Sequence, residues 1–535
     1  MSSNYLGTLS QAECHEDLRV LADITRFHAS TAPTSTALIY EDRQTSFAEL
    51  DQLSSQVANG LHAEGIQRQT NVAWLDINTD FFFEMLFGCA KSNTVICPLN
   101  WRLAAPEILY ILNDAEAQIL FVGERFVDLV ESITDQLVTV KKIIAISEGH
   151  PEWEDYVSWR NKRSNEDPAL NTSPTDIAIQ MYTSGTTGYP KGVLLSSGAL
   201  LAPNADDSDE MEFNRWTSED VSLLVMPCFH IAGLRWGVMG LLPGAETVIM
   251  PEFDPVQVAE HISAHQVTKL MLVPAALQFV MQATRGMDTN FSSLRHIWYG
   301  ASPIPLDLLK EAMNVFQCDF VQTYGLTETA AQTTYLPPSD HNPEGNERMK
   351  SAGKVLPNIQ IRIMDEHGRC LPAREIGEIC VNSPANMIGY WKSPEATAKT
   401  IVDGWVHTGD AGYMDEDGYV YIHDRIKDMV VSGGENVYPA EVESAIYGHP
   451  AVADVGVIGV PDDKWGEAVK AIVVLESGHS CSAEELIAYA RERIAAYKAP
   501  KSVDFVDVLP RNPSGKILKK DLRAKYWKGT ERMVQ

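Results

Sequence analysis

The sequence predicts an α/β protein with a smaller α+β module near its end. Strand-like and helix-like segments alternate along most of its 535 residues, and a chain of this length exceeds what one core usually serves. Near residue 426 the composition changes to a compact run of strands and helices. We therefore predict two domains, an N-terminal domain at residues 1–426 and a C-terminal domain at residues 427–535.

The first 150 residues carry clear signals for helices and strands but no obvious chemistry. Ser46 and Glu49 form a capping-box signature before a helix that Gly65 should end. In the C-terminal module, Ser482 and Glu485 repeat that signature. Strands are predicted at residues 37–40, 72–75 and 118–122, and helices near residues 81–90 and 106–113.

The composition excludes several classes of protein. A formal charge of −29 argues against nucleic acid as a partner, so any phosphate site must be local. The eight cysteines show no metal-ligand or disulfide spacing, which is typical of free thiols in the cytoplasm. No signal peptide is visible, and the apolar stretch 223–245 contains Pro227 and Arg235, so we expect protein interior and no transmembrane segment.

The stretch at residues 182–192 combines two glycines, several hydroxyls and one lysine directly after a predicted strand at 176–182. Gly185 and Gly188 can expose N–H groups to an anion, and Lys191 adds a mobile cation. The spacing differs from that of the G-x-x-x-x-G-K-[ST] loop. A polar surface turn is the alternative, but eleven such positions following a strand favour phosphate binding.

Further along the chain, predicted strands stop at turns where open α/β sheets bind ligands. Residues 221–230 form a predicted strand ending at His230, for which a buried, hydrogen-bonded imidazole is the usual explanation. Two more strands end at Gly300 and Gly325. Beside the second turn, Glu328 could hold a magnesium ion, although a carboxylate there is more often a helix-start charge.

Three charged residues nearer the C-terminus have equally ordinary alternatives. Asp410 and Arg425 could both reach ribose hydroxyls, but either could belong to a loop salt bridge. Lys516 lies on a Pro/Gly-rich tip, where a lysine is mostly a solvated charge.

Together these stretches resemble the adenylate-forming acyl-CoA synthetase family over nearly the whole chain. Any one motif is weak, but eight in family order are specific. The chain looks most like ligases for fatty or aromatic acids. The motifs occupy residues 182–192, 230, 300–303, 324–329, 408–410, 424–427, 433–436 and 513–516.

The resemblance implies a large N-terminal domain with a β-barrel-like subdomain and a small, mobile C-terminal domain. It also implies two half-reactions. A substrate carboxylate first attacks the α-phosphorus of ATP to give acyl-AMP and pyrophosphate, and the thiol of coenzyme A then displaces AMP. ATP, Mg²⁺ and coenzyme A are therefore the expected cofactors, with a small carboxylic acid as the substrate.

The resemblance also assigns roles to residues. Lys516 bridges carboxylate and α-phosphate, Glu328 binds magnesium, His230 gates the coenzyme channel, Thr183 belongs to the catalytic loop, and Lys427 is the hinge. The implied nucleotide and coenzyme contacts are Thr183, Ser184, Gly185, Thr186, Thr187, Gly188, Lys191, Gly300, Ala301, Ser302, Tyr324, Gly325, Thr327, Asp410, Arg425, Gly434 and Trp465.

The acyl pocket is expected to have largely apolar walls, which favours a fatty, aryl or alicyclic acid over acetate. Arg235 lies within this wall, where it could meet a second polar group of the substrate, point to solvent or pair with an acid. The predicted pocket residues are His230, Gly233, Leu234, Tyr299 and Gly325.

Two other functions stay open. One is an acyl-AMP ligase that loads a carrier protein, and the other is a nucleotide-binding regulator without catalysis. Trp465, in a chain for which we expect no appended carrier domain, favours coenzyme A. The presence of Lys516, Glu328 and Lys191 disfavours the regulator. A homodimer is a further open prediction.

Overall fold

The computed structural model describes residues 18–183, 190–202, 209–432, 435–462, 464–511 and 515–527. Three sheets lie in the N-terminal part of the chain and a fourth lies in the C-terminal part. Helices and strands alternate through the N-terminal part, which confirms the predicted α/β fold class.

A nine-stranded sheet contains the two glycine turns. Its strands are β1 (Thr36–Tyr40), β2 (Arg43–Ser46), β10 (Val221–Leu224), β11 (Glu246–Ile249), β12 (Lys269–Leu272), β13 (His296–Gly300), β14 (Asp319–Tyr324), β15 (Thr334–Leu336) and β16 (Lys354–Val355). They run in the order β16-β15-β14-β13-β12-β10-β11-β1-β2. Strands β12, β13 and β14 are parallel, so the turns after β13 and β14 meet at one edge.

An eight-stranded sheet carries the strand before the predicted phosphate loop. Its strands are β3 (Asn71–Leu75), β4 (Val95–Pro98), β5 (Ile119–Val122), β6 (Lys142–Ala145), β7 (Glu154–Asp155), β8 (Ile177–Thr183), β9 (Lys191–Ser196) and β19 (Gly389–Tyr390). Their order is β19-β9-β8-β4-β3-β5-β6-β7.

Strand β8 is buried on both faces through residues 178–181. The polar Gln180 of this strand is also fully buried. Its amide accepts a hydrogen bond from Asn71 at 3.0 Å and donates one to the Tyr182 hydroxyl at 3.0 Å. A buried amide is tolerated there because both of its ends are hydrogen-bonded.

The helices confirm both capping boxes, at Ser46 with Glu49 and at Ser482 with Glu485. In chain order they are α1 (Leu21–Thr31), α2 (Phe47–Ala63), α3 (Asp80–Ser92), α4 (Ala105–Asp114), α5 (Val127–Glu131), α6 (Tyr156–Asn161), α7 (Ser197–Leu201), α8 (Ile231–Leu241), α9 (Pro255–Ala264), α10 (Pro274–Thr284), α11 (Leu306–Phe316), α12 (Pro394–Thr400), α13 (Pro439–Tyr447), α14 (Ala483–Arg491) and α15 (Lys519–Ala524).

The strand predicted at residues 221–230 is too long. Strand β10 ends at Leu224, and His230 is the N-cap of α8. Pro227 explains the early end, because proline has no N–H to donate to a sheet ladder. Within the described ranges, no helix is long and apolar enough to cross a membrane.

An antiparallel sheet follows, and its longest strand carries Asp410. The strands are β17 (Gln360–Met364), β18 (Gly377–Asn382), β20 (Ile401–Val402), β21 (Trp405–Met414) and β22 (Val420–Arg425). Strand β21 pairs with β18, β20 and β22.

The C-terminal sheet is built around a long antiparallel pair. Its strands are β23 (Val430–Ser432), β24 (Glu435–Val437), β25 (Val452–Asp462), β26 (Gly466–Leu475) and β27 (Ser502–Phe505). A 3₁₀ turn at Ile426–Asp428 joins β22 to β23. The predicted domain boundary falls on this turn, and the division into two domains stays a prediction.

Candidate active site

Two of the predicted nucleotide residues, Arg425 and Tyr324, contact the buried carboxylate of a third, Asp410. Asp410 and Arg425 are partners across β21 and β22, with the Arg425 Nε 2.8 Å from the Asp410 Oδ1. The Tyr324 hydroxyl donates to the Asp410 Oδ2 at 2.7 Å, and Arg425 also donates to the Thr408 carbonyl at 2.9 Å. The salt bridge therefore joins two strands rather than two loops.

The surroundings in this cluster keep the Arg425 guanidinium charged and the Tyr324 hydroxyl protonated. Burial, the largest single effect, opposes the charge on Arg425, but the surrounding acidic groups, Asp410 first among them, together outweigh it and raise the pKa of Arg425. Burial, followed by Asp410, raises the pKa of Tyr324 well above its ordinary value, so its hydroxyl stays a hydrogen-bond donor.

The turns after β13 and β14 have no room for side chains. A β-carbon on Gly300 would lie 2.2 Å from the Thr323 carbonyl oxygen, and one on Gly325 would lie 2.2 Å from that of Ala331. Ala301 has a φ of 65°, in the left-handed region. Ser302 and Thr327 are half-buried beside these turns. The strand edge is therefore a close-packed, mainly backbone surface.

A second charged group forms around Tyr390. Its hydroxyl donates to the Glu328 Oε1 at 2.8 Å, and the Lys191 ammonium lies 5.1 Å from the centre of its ring. Lys191 is also the partner of Thr183 across β8 and β9. A lysine suited to phosphate and a carboxylate suited to magnesium therefore flank one tyrosine. Residues Ser184, Gly185, Thr186, Thr187 and Gly188 lie outside the described residues.

Lys516 is half-buried rather than fully solvated. Its electrostatic neighbours include Arg425, Asp410, Asp424 and Asp428. Burial, followed by the charge of Arg425, lowers the pKa of Lys516. The C-terminal module thus places a lysine beside the Asp410 cluster of the N-terminal part.

Several contacts hold the C-terminal module in this position. The Lys519 ammonium lies 3.1 Å from both Asp424 and Glu443. Within the C-terminal module itself, Arg523 lies 2.7 Å from Asp428 in the 3₁₀ turn. Farther away, the Gln278 side chain in α10 donates to the Ala453 carbonyl at 3.1 Å.

His230 is a neutral imidazole at pH 7. Burial, followed by the charge of Arg102, lowers the pKa of His230 to about 4. Its Nε2 is buried and has no hydrogen-bond partner among the described residues. The usual explanation, a hydrogen-bonded core histidine, does not describe this nitrogen.

The predicted acyl-pocket residues do not all come together. Leu234 is fully buried in the core cluster that includes α8, whereas Tyr299 packs in a different cluster with Phe320. The Tyr299 hydroxyl lies 2.9 Å from the His341 Nε2. Gly233 fits against the strand end, where a β-carbon would lie 2.3 Å from the Met226 and Pro227 carbonyl oxygens.

Arg235 does not point to solvent, which corrects one of the three expectations for it. Its side chain is 2% exposed, and its guanidinium donates to the Leu200 carbonyl. Burial lowers the pKa of Arg235 to about 9, so the group remains charged at neutral pH.

The coenzyme and hinge residues are only partly described. Trp465 is 40% exposed on the hairpin between β25 and β26, with the Lys464 ammonium 4.5 Å from its ring centre. Gly434 lies outside the described residues. The backbone of Lys427 lies in the 3₁₀ turn between β22 and β23.

Sequence reasoning missed Tyr390 and Arg102. Tyr390 reaches Glu328 because β19 pairs with β9, a contact between segments about 200 positions apart along the chain. The available signal was the aromatic pair Tyr390–Trp391 after Gly389. Such a pair is too common in turns to be singled out without the fold.

Comparison with known proteins identifies the family of the chain. The AMP-binding enzyme model matches residues 26–391, and the AMP-binding enzyme C-terminal domain model matches residues 441–516. The fatty acid–[acyl-carrier-protein] ligase ScoC of Streptomyces coeruleorubidus is 40% identical over 97% of this chain and 99% of its own.

Two more proteins extend the comparison. The indoleacetate–CoA ligase of Aromatoleum aromaticum is 36% identical over 93% of this chain and 96% of its own. The structure of the anthranilate CoA ligase AuaEII in complex with anthranoyl-AMP superposes with a TM-score of 0.87 at 27% identity, covering 95% of this chain and 97% of AuaEII.

Fold and site together define an adenylate-forming enzyme that activates carboxylic acids. The chain belongs to the AMP-binding enzyme family. It is an AMP-forming acid–thiol ligase.

Proposed function

We propose that this enzyme converts a medium- or long-chain fatty acid or an aromatic acid into its acyl-AMP and then transfers the acyl group to coenzyme A. The observation that carries the first step is the position of the half-buried Lys516 among the electrostatic neighbours Asp410 and Arg425. A lysine from one module, placed over the charged cluster of the other, can neutralise an anion bound between them.

The chemistry of adenylation needs positioning and charge neutralisation, because a carboxylate must approach an α-phosphate of the same sign. Asp410 accepts the ribose hydroxyls, and the turns at Gly300 and Gly325 provide a close-packed edge for adenine. Lys191 and the loop that follows Thr183 hold the outer phosphates. Lys516 lies between the two reacting anions.

Glu328 is the residue that would hold magnesium. Its Oε1 already accepts from Tyr390, and a carboxylate near a phosphate-binding lysine is the oxygen ligand that Mg²⁺ prefers. The ion would supply charge neutralisation at the phosphate oxygens. Tyr390 would orient the carboxylate, and Lys191 would bind the phosphates directly.

Transfer to the thiol requires the C-terminal module to move, since Lys516 lies over the carbon that the thiol must reach. Lys427, in the turn between the modules, is the proposed hinge. Neutral His230 would gate the approach of the thiol. The half-exposed Trp465 would contact the nucleotide part of coenzyme A, with Gly434 beside the pantetheine arm.

The class of acid follows from the wall that α8 forms. Leu234 and its buried neighbours on this helix make that wall apolar apart from Arg235. A fatty acid is supported by the similarity to ScoC, and an aryl acid by the similarity to the indoleacetate ligase. Arg235 adds a buried cation that could meet a second polar group of the acid.

A carrier protein is the second candidate for the thiol acceptor. The observation that favours it is the 40% identity to a ligase named for loading a fatty acid onto an acyl-carrier protein. The two acceptors share the phosphopantetheine thiol and differ in what surrounds it.

An AMP-release screen tests the proposal. The enzyme receives ATP, Mg²⁺ and carboxylic acids of different length and ring content, with either coenzyme A or a phosphopantetheinylated carrier as acceptor. We expect AMP release and thioester formation with coenzyme A and fatty or aryl acids, and none with acetate. Thioester formation on the carrier alone would establish the second candidate. Pyrophosphate release that does not depend on any acid would contradict both.

The cytoplasm is the proposed compartment. All seven described cysteines are free thiols, as expected where thiols are kept reduced. Assembly into a homodimer stays a prediction.

A further inference from the structure

A thiol, an imidazole and a carboxylate converge on the outer face of the antiparallel sheet. Strand β18 places Ile379 and Val381 in the main core, so Glu378 and Cys380 point to the opposite face. His407 on β21 is the direct partner of Cys380. The side-chain ligand atoms of Glu378, Cys380 and His407 all lie within 4.8 Å of one another.

The distances suit a tetrahedral transition-metal ion. The His407 Nδ1 lies 3.5 Å from the Cys380 Sγ and 2.7 Å from the Glu378 Oε2. A tetrahedral zinc ion, with bonds of about 2.0 Å to nitrogen and 2.3 Å to sulfur, separates these two atoms by roughly 3.5 Å. The imidazole–thiol pair is already at that separation, and the carboxylate needs to retreat by about 0.5 Å.

The surroundings of the three residues favour a defined site over a chance contact. Cys380 is fully buried and packs with Met364 and Trp405. The side chains of His407 and Glu378 are 22% and 24% exposed, so an ion can enter from solvent. The Glu378 Oε1 accepts from the Gly409 N–H at 2.9 Å, which holds the carboxylate in place.

We infer that Glu378, Cys380 and His407 form a binding site for a borderline transition-metal dication such as Zn²⁺. Sulfur and imidazole ligands select such metals over Mg²⁺. On binding, the Cys380 thiol proton leaves to solvent and the sulfur bonds to the metal. The imidazole binds through Nδ1 and keeps its proton on Nε2, and water completes the coordination.

Cobalt provides the test, because a thiolate ligand gives Co²⁺ a sulfur-to-metal charge-transfer absorption. The full-length enzyme, stripped with a chelator, is titrated with Co²⁺ and then with Zn²⁺. We expect one Co²⁺ per chain with that absorption, displaced by Zn²⁺ and not by Mg²⁺. Cys380→Ser should abolish the absorption, and Glu378→Gln, which keeps an acceptor for Gly409, should weaken binding by more than about tenfold.

Cys481→Ser is the matched control. Cys481 also contacts a histidine, with its Sγ 3.8 Å from the His449 Nε2, but this pair is more exposed and its atoms lie farther apart. The control should bind cobalt as the wild type does. Absence of the absorption in the wild type, its survival in Cys380→Ser, or its loss in Cys481→Ser would each overturn the inference. If Cys380→Ser does not fold, the Tm of the wild type and of Glu378→Gln is measured with and without Zn²⁺. The inference then requires a Zn²⁺-dependent rise in Tm in the wild type that Glu378→Gln lacks.

Discussion

The charge of Lys516 is required, in the proposed mechanism, for only one of the two half-reactions. Its ammonium interacts electrostatically with Asp410 and Arg425, near the place where the α-phosphate and the carboxylate of the acid would meet. The thiol step takes place after the module has moved, when Lys516 has left this position. A single residue can therefore separate the two steps.

Lys516→Ala is expected to slow acyl-AMP formation by about a hundredfold to a thousandfold, the loss typical of one electrostatic contact in a transition state. Thioester formation from supplied acyl-AMP should stay near the wild-type rate. Acid-dependent pyrophosphate release measures the first step, and thioester yield measures the second. Lys516→Arg, which keeps the charge, serves as the control. Equal loss of both steps would contradict the division of labour.

At the level of helices and strands, the two glycine turns position the proposed nucleotide residues. Gly325 lies between Tyr324, whose hydroxyl donates to Asp410, and Glu328, whose carboxylate accepts from Tyr390. The chain can follow this path only because residue 325 has no side chain near the Ala331 carbonyl.

Gly325→Ala should therefore lower both stability and activity. The added carbon would meet backbone 2.2 Å away, so the turn must shift, at a cost of about 1–3 kcal/mol. The KM for ATP should rise, because Tyr324 and Glu328 move with the turn. Denaturant unfolding and ATP titration measure the two effects.

Gly448→Ala is the control for this substitution, because its added carbon would meet only the ends of the Asp307 and Tyr489 side chains. Equal effects of the two substitutions would show that the crowded backbone at Gly325 is not the cause.

Local patterns predicted the helices and strands better than they predicted the contacts of the site. The capping boxes and most strands follow from neighbouring residues, which is why they were predicted. The buried Gln180 was missed because its burial and its partner Asn71 depend on residues far away along the chain. Tyr390 was missed, and the expectation that Arg235 could point to solvent was wrong, for the same reason. The partners of both side chains lie far away in the sequence.

The meeting of Tyr324, Asp410 and Arg425 could be expected only through the family resemblance. No periodicity links residues 86 and 101 positions apart, and each has an ordinary local explanation. The roles of Ser184 to Gly188 and of Gly434 remain predictions.

At the level of the whole molecule, three half-buried histidines make stability depend on pH. Burial is the main cause that lowers the pKa of His230, His296 and His341 to about 4. The pKa of an unfolded histidine is near 6.5, so between these values the unfolded chain binds more protons. Stability is therefore lost as the pH falls from about 6.5 towards 4.

His341→Gln should make this loss less steep by about 1.4 kcal/mol per pH unit, the contribution of one proton. Urea unfolding between pH 6 and pH 4.5 measures the slope. His367→Gln, at an exposed histidine, should leave the slope of the wild type unchanged. Parallel slopes for wild type and His341→Gln would contradict the assignment.

A disulfide can also fix the C-terminal module in its position against the N-terminal part. A β-carbon on Gly515 would lie 3.7 Å from that of Ala275, within the range that a disulfide spans. The double variant Gly515→Cys with Ala275→Cys is loaded with ATP, acid and Mg²⁺ and then oxidised. We expect it to retain acyl-AMP and to make no thioester within the time of one turnover.

Reduction of the disulfide should restore the thiol step. The strain of a non-glycine residue at the positive φ of Gly515 is present in both states, so the difference between them reports the lock alone. Thioester formation at the same rate in the verified oxidised form would show that the module does not need to move.

The position of Lys516 over the Asp410 cluster also bears on the loss of ATP to side reactions. Acyl-AMP is a mixed anhydride that water can hydrolyse, and a seated C-terminal module excludes solvent from the place where it forms. The contacts of Lys519 with Asp424 and of Gln278 with Ala453, which hold the module against the N-terminal part, would then limit a futile cycle in which ATP is spent and no thioester appears. Loosening them should raise AMP production in the absence of any thiol, even if thioester synthesis is unchanged.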